Sequence, residues 1–152
     1  MVLLDSMKLL VSLIFILFSF NSVHSQDRFE NLDVFELQYA RDPQISPDGN
    51  YILYVRTQMD IMKDGRSSSI WILNADGSNH QKLTSSTRNE SNPRWSPDGK
   101  RISFISSSDD NNGSEIFIYW VDSKQYSSIS QLSGSPRSIK WSRNGKYLSF
   151  LM

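Results

Sequence analysis

The sequence predicts an all-β fold assembled from a repeated four-stranded sheet, and three observations carry that prediction. A tight-turn signal returns at nearly even intervals, as Ser46-Pro47-Asp48-Gly49, Ser96-Pro97-Asp98-Gly99 and Ser142-Arg143-Asn144-Gly145, with the serines 50 and then 46 residues apart. Each copy is followed by a short alternating run: Tyr51-Ile52-Leu53-Tyr54-Val55, Arg101-Ile102-Ser103-Phe104-Ile105 and Tyr147-Leu148-Ser149-Phe150-Leu151. Aromatic residues make up 12% of the chain, while Ser, Asn, Asp and Gly crowd the segments between apolar runs, as an all-β protein with many turns requires.

The turn chemistry explains the recurrence. Serine suits the first position of a type I turn, proline presets φ at the second, and aspartate is tolerated at the third. Glycine then takes the positive φ that returns the chain as a bulged hairpin. In the third copy Arg143 and Asn144 replace proline and aspartate, which keeps the turn but loosens it.

The likeness extends beyond the turns. A shift of 46 lays Ile70-Trp71-Ile72 on Ile116-Phe117-Ile118, Asp76 on Asp122, Leu83-Thr84 on Ile129-Ser130, Trp95-Ser96 on Trp141-Ser142 and Phe104 on Phe150. Between the first two copies, Ile52 to Ile70 is four residues longer than Ile102 to Ile116, and that insertion is expected in a loop. In the second unit the strands are expected at 93–95, 100–106, 115–121 and 126–131. A period of 40 to 50 residues holding four short strands reads as a β-propeller blade. The expected fold is therefore a partial β-propeller of about two and a half blades, at 43–84, 93–131 and 138–152. Trp95, Trp141, Phe104 and Phe150 are expected to pack between blades, against the alternative of a ligand-stacking platform.

Ahead of the blades, residues 1–25 read as a signal peptide. Lys8 supplies the positive charge, Leu9 to Phe20 is apolar apart from two serines, and Val23-His24-Ser25 places small residues for cleavage after Ser25. The alternative is an uncleaved anchor, for which the run falls short of the roughly 20 residues of a membrane span. The mature protein is expected to be secreted or periplasmic. A lead at 26–42 follows, with a short helix expected from Asn31, a capping residue, to Ala40, where Phe35 and Tyr39 share a face and Pro43 forbids continuation.

The stretch from Asp33 to Gly49, DVFELQYARDPQISPDG, resembles the start of prolyl oligopeptidase-family serine peptidases, nearest to the exported acylaminoacyl-peptidase or dipeptidyl-peptidase type. Met59 to Asp64 and Ile70 to His80 resemble the continuation of that family's first blade. The core from Trp95 to Lys100 is less discriminating, being shared with TolB-like (WD-like) propellers. The resemblance implies a propeller that gates substrate access to an α/β-hydrolase domain carrying a Ser-Asp-His triad.

The search for chemistry within the chain yields no catalytic, cofactor-binding or metal residue. No Gly-x-Ser-x-Gly elbow occurs. His80 is the one histidine after the leader and sits in an expected turn, while Ser46 and Ser96 are explained by turn geometry. The run Asp109-Asp110-Asn111-Asn112-Gly113-Ser114-Glu115 has metal-like oxygens but not the alternate ligand spacing of a calcium loop. Asn89-Glu90-Ser91 and Asn112-Gly113-Ser114 are glycosylation sequons that count only in a eukaryotic secretory pathway. With no cysteine, disulfides, zinc–thiolate sites and thiol catalysis are excluded. A formal net charge of zero argues against nucleic acid as a partner.

The leading expectation is thus the N-terminal propeller segment of an exported serine peptidase, inactive by itself. The other is a TolB-like protein–protein interaction module. Peptides are expected as partners only in a full-length enzyme, with no cofactor and no stable membrane anchor after cleavage. Two and a half blades leave Leu148, Phe150 and Leu151 at a raw sheet edge that invites self-association. Size-exclusion chromatography of the mature chain should show oligomers or loss to aggregation; a sharp monomer peak with a cooperative melt would contradict this.

Overall fold

A computed structural model describes residues 33–62, 64–107 and 113–152. The leader expected over residues 1–25, and residues 26–32 of the lead, lie outside the described residues. Among the described residues ten strands form three antiparallel sheets, with orders β1-β2-β3-β4, β5-β6-β7-β8 and β9-β10. The strands are β1 (Gln38–Ile45), β2 (Tyr51–Asp60), β3 (Gly65–Asn74), β4 (Gln81–Lys82), β5 (Asn89–Trp95), β6 (Arg101–Ser107), β7 (Ser114–Trp120), β8 (Gln125–Ser128), β9 (Arg137–Trp141) and β10 (Leu148–Leu151). The first strands lie together, β1 beside β5 and β5 beside β9, so the sheets stand side by side with shared inner edges. This is the blade arrangement of a β-propeller.

Each recurrent turn is built the same way. The amide N–H of Gly49, Gly99 and Gly145 donates to the carbonyl of the turn serine at 2.9 Å in every copy. The serine hydroxyl then locks the loop from inside. Ser46, Ser96 and Ser142 accept the N–H of Tyr51, Arg101 and Tyr147 at 2.9, 3.0 and 3.0 Å. The same hydroxyls donate to Asp48, Asp98 and Asn144 at 2.6, 2.5 and 2.8 Å. The residue two beyond returns its N–H to that side chain, an Asx turn in each case. Ser46 and Ser96 are buried. Gly145 takes a φ of +66°, a conformation that L side chains rarely adopt.

The alternating strands bury what the pattern promised. Leu53, Val55 and Ile70 of the first blade pack against Ile102, Phe104 and Tyr119 of the second, with Trp95, Phe117 and Tyr126 at the margin. The opposite face of the second blade sets Ile105 and Ile116 on Ile139, flanked by Leu132 and Leu148. β6 is consequently buried on both sides, from Ile102 through Ser106. Trp95, Trp141 and Phe104 meet neighbouring blades as expected, while Phe150 is 37% exposed.

Two expectations are corrected. No helix runs to Ala40: a single 3-10 turn covers Asp33–Phe35, and β1 starts at Gln38, which pairs with Gln58. The helical spacing of Phe35 and Tyr39 is overridden by sheet pairing, a tertiary effect that outweighs a weak local preference. The four extra residues between Ile52 and Ile70 are not in a loop either. They lengthen the hairpin ladder, which runs unbroken to Asp60 opposite Gly65; among the described residues β6 and β7 pair from Arg101 to Ser107. An even extension, shared by both strands at the hairpin tip, leaves the inward faces unchanged.

One side chain departs from the repeat. Glu90, in β5, is fully buried between the first two blades. Its carboxylate accepts the Ile70 N–H at 3.0 Å and the Thr84 hydroxyl in a very short contact. In the second blade the equivalent Ile116 N–H is met by Ser130 Oγ at 2.8 Å. Burial pushes the Glu90 carboxyl above its ordinary value, against the opposing pull of the Thr84 hydroxyl, the Ile70 N–H and the Lys82 charge.

Two outcomes follow. Ser96→Ala should cost about 1–3 kcal/mol, since it strands the Arg101 N–H and removes the Asp98 partner, readable as a lower urea midpoint. A folded-state pKa raised above the unfolded one means that Glu90's contribution is fully present below about pH 4.5 and is lost as pH rises through the raised value. Glu90→Gln should flatten that part of the midpoint-versus-pH profile; an unchanged difference between pH 4 and 8 would refute the assignment.

Candidate functional site

The inner edges of the blades converge on an open concavity of about 560 Å³. The repeat supplies its walls in register. Gln44, Arg94 and Lys140 occupy one equivalent position, Ile45, Trp95 and Trp141 the next, and Pro47, Pro97 and Arg143 the turn that follows. Each group of three comes from β1, β5 and β9, or from the turns just beyond them.

Bulges fix the approach of these strands. Asp42, Asn92 and Ser138 each lie four residues before a turn serine and take positive φ values of 51°, 56° and 56°. The ladder shifts at Arg41/Gln44 and at Ser91/Arg94 accordingly. Two of these residues reach into the next blade: Asp42 pairs with Arg94 Nη1 at 2.8 Å, and Asn92 accepts the Ile139 N–H at 3.1 Å. Trp141 is held from two sides, donating its indole N–H to the Arg94 carbonyl at 3.1 Å beneath the Arg101 guanidinium, 4.9 Å above the ring.

The charge of the concavity is positive. Arg94 is paired with Asp42, but among the described residues no carboxylate pairs with Lys140 or Arg143, both exposed. The groove therefore offers two unpaired cations and one paired cation beside two indole walls.

The residues weighed from the sequence fall elsewhere. His80 is exposed on the outer face of the first blade, where its ring bonds the Tyr54 hydroxyl at 2.6 Å and packs on Trp71 at 4.9 Å. Tyr54, Trp71 and His80 are the repeat counterparts of Phe104, Phe117 and Tyr126, which form the matching cluster on the second blade. The hydroxyls of Ser46 and Ser96 are committed to their turns. Asp109 to Asn112 lie outside the described residues, and among those described no group of three or more His, Asp or Glu is placed to hold a metal ion. Asn89 of the first sequon sits within β5, its side-chain oxygen accepting the Ser68 N–H at 2.9 Å. No helix of the described residues is long and apolar enough to cross a membrane.

The groove cations were missed in the sequence, although a signal existed. Aligning Trp95 on Trp141 also aligns Arg94 on Lys140, and Arg143 was already visible as a departure from Pro.

These features define a segment of β-propeller, and the comparisons agree on that fold. Its structural neighbours are the β-propeller domains of prolyl oligopeptidase-family peptidases. The propeller domain of the trilobed protease of Pyrococcus furiosus matches 76% of this chain and 34% of its own, with TM-score 0.63 and 24% identity. The acylaminoacyl peptidase of Pyrococcus horikoshii matches 76% of this chain and 17% of its own, with TM-score 0.62 and 26% identity. In sequence, an uncharacterized peptidase of Bacillus subtilis, YuxL, is 36% identical over 74 residues, covering 49% of this chain and 11% of that protein. The Tol-Pal system protein TolB of Chromobacterium violaceum is 39% identical over 46 residues, 30% of this chain and 11% of that protein. The chain thus spans about a tenth of the length of these curated relatives. No protein-family model matches.

Proposed function

We propose that this chain is the propeller portion of an exported serine peptidase, in which the stacked blades control which peptides reach a hydrolase domain of the same protein. The observation that carries this reading is the coincidence of a bladed fold with sequence identity to a peptidase over nearly half the chain. The groove at the inner strand ends supports it, because a gate must touch its substrate and this is where side chains from all three blades meet one cavity. Export rests on the leader at residues 1–25, with Lys8, the apolar run to Phe20 and cleavage after Ser25.

A second reading, an interaction module of the TolB kind, is favoured by the 46-residue match to TolB. On that reading the groove contacts a protein partner and no hydrolase domain exists. The two readings part company in the gene. Sequencing past the codon for Met152 should reveal a Gly-x-Ser-x-Gly elbow several hundred residues downstream, followed by an aspartate and a histidine. An authentic stop codon with no such motif would overturn the peptidase reading and leave the interaction module.

A further inference from the structure

We propose that the groove at the inner ends of β1, β5 and β9 recognises carboxylates, and that the segment it takes is an extended acidic peptide carrying an apolar or aromatic side chain. This deepens the gating reading above and rests on it for the choice of peptide as ligand.

The argument begins with what the third repeat changes. Its turn has the same hydrogen bonds as the other two: Ser142 to Asn144 at 2.8 Å, Lys146 N–H to Asn144 at 3.1 Å, and Gly145 N–H to the Ser142 carbonyl at 2.9 Å. Turn geometry therefore does not require the substitutions found there. Their consequence is electrostatic. Asn144 stands where the earlier turns have Asp48 and Asp98, removing a negative charge, and Arg143 stands where they have Pro47 and Pro97, adding a positive one at the groove wall. At the strand position above, the series Gln44, Arg94, Lys140 moves from neutral to cationic in the same direction. Two independent positions thus bias the same end of one cavity.

The site is held as well as charged. Trp141 is pinned by the Arg94 carbonyl and the overlying Arg101, and Arg101 also donates to the Gly145 carbonyl at 3.0 Å. Arg94 is fixed by both oxygens of Asp42, at 3.0 and 2.8 Å. The facing negative groups are Asp42, neutralised by Arg94, and Asp98, which turns to Arg101 at 3.4 Å. Lys140 and Arg143 are the cations left for a ligand. A carboxylate between them gains charge-assisted hydrogen bonds, while its neighbouring side chain lies against Trp95 and Trp141.

The test uses the whole chain and three capped tetrapeptides of alternating Glu-Phe, Gln-Phe and Lys-Phe, followed by tryptophan fluorescence and isothermal titration. The Glu-Phe peptide should bind about five- to tenfold tighter than the Gln-Phe peptide, with the Lys-Phe peptide weakest, and the preference should shrink as salt is raised from 50 to 300 mM. Lys140→Gln with Arg143→Pro installs the residues that the first copy carries at Gln44 and Pro47. This double variant should abolish the Glu-Phe preference over Gln-Phe; a preference that survives it would overturn the assignment to Lys140 and Arg143. Equal affinity for the three peptides on the unaltered chain would overturn the proposal, whatever the variant's folding. So would competition by a duplex DNA oligomer or inorganic phosphate as effective as the acidic peptide, since either marks a general anion trap. These readouts concern binding, so their failure leaves the peptidase reading to be decided by the gene.

Discussion

A single hydroxyl, repeated three times, organises the chain. The turn serine accepts one amide from the strand that leaves and donates to an acid or amide side chain inside the turn, while its backbone closes the loop around glycine. The result is a hairpin whose register is fixed by contacts among residues adjacent in sequence. Register matters because side chains alternate with period two, and a slip by one residue would turn Ile102 and Phe104 away from the first blade. The stacking of apolar faces is possible only because the clamp places those faces correctly. The aspartate is part of the device: the Ser96 hydroxyl and then the Lys100 N–H hold the Asp98 carboxyl below its ordinary range, so it stays charged and keeps accepting.

Because the device is local, its turn was legible in the sequence, although the clamp between the serine hydroxyl and the aspartate was not read there. Ser-Pro-Asp-Gly specifies its own geometry from adjacent residues, and the alternating runs beyond it specify which side chains are buried. What could not be read were features whose causes lie across blades. The bulges at Asp42 and Asn92 insert an unpaired residue that breaks alternation, so the strand portions before them, Gln38 to Arg41 and Asn89 to Ser91, looked out of phase with the sheets they join. The same break let Phe35 and Tyr39 suggest a helix. The longer first hairpin was misplaced for a related reason: Thr57 to Asp60 and Gly65 to Ser68 are too polar to announce a strand, and only their mutual pairing makes one. The groove had a signal in the aligned Arg94 and Lys140, but a cation reads as solvated surface until the fold gives it neighbours.

Repetition also supplies a control within one molecule. Positions that agree among copies are explained by the fold, while positions that differ need a second cause. Tyr54, Trp71 and His80 match Phe104, Phe117 and Tyr126 in placement, so the one histidine outside the leader is accounted for by its place in a blade face. Glu90 differs from Ala40, its counterpart in the first copy, and buries a carboxylate where the second blade manages the same backbone N–H with Ser130. A buried acid is a poor source of stability but a specific one, since it tolerates few alternative partners. It therefore ties the second blade to the first by contacts that a sliding of the two faces would break.

The same control bears on the groove. Had Arg143 and Asn144 been needed to form the third turn, its hydrogen bonds would depart from those of the other two, and they do not. Had Arg143 been an indifferent surface change, nothing would require it to coincide with Lys140 in the wall of one cavity. Folding and chemistry are thus separable in this chain. Serine and glycine, constant across copies, carry the architecture, and the position directly after the serine, Pro47, Pro97 or Arg143, is free to carry charge.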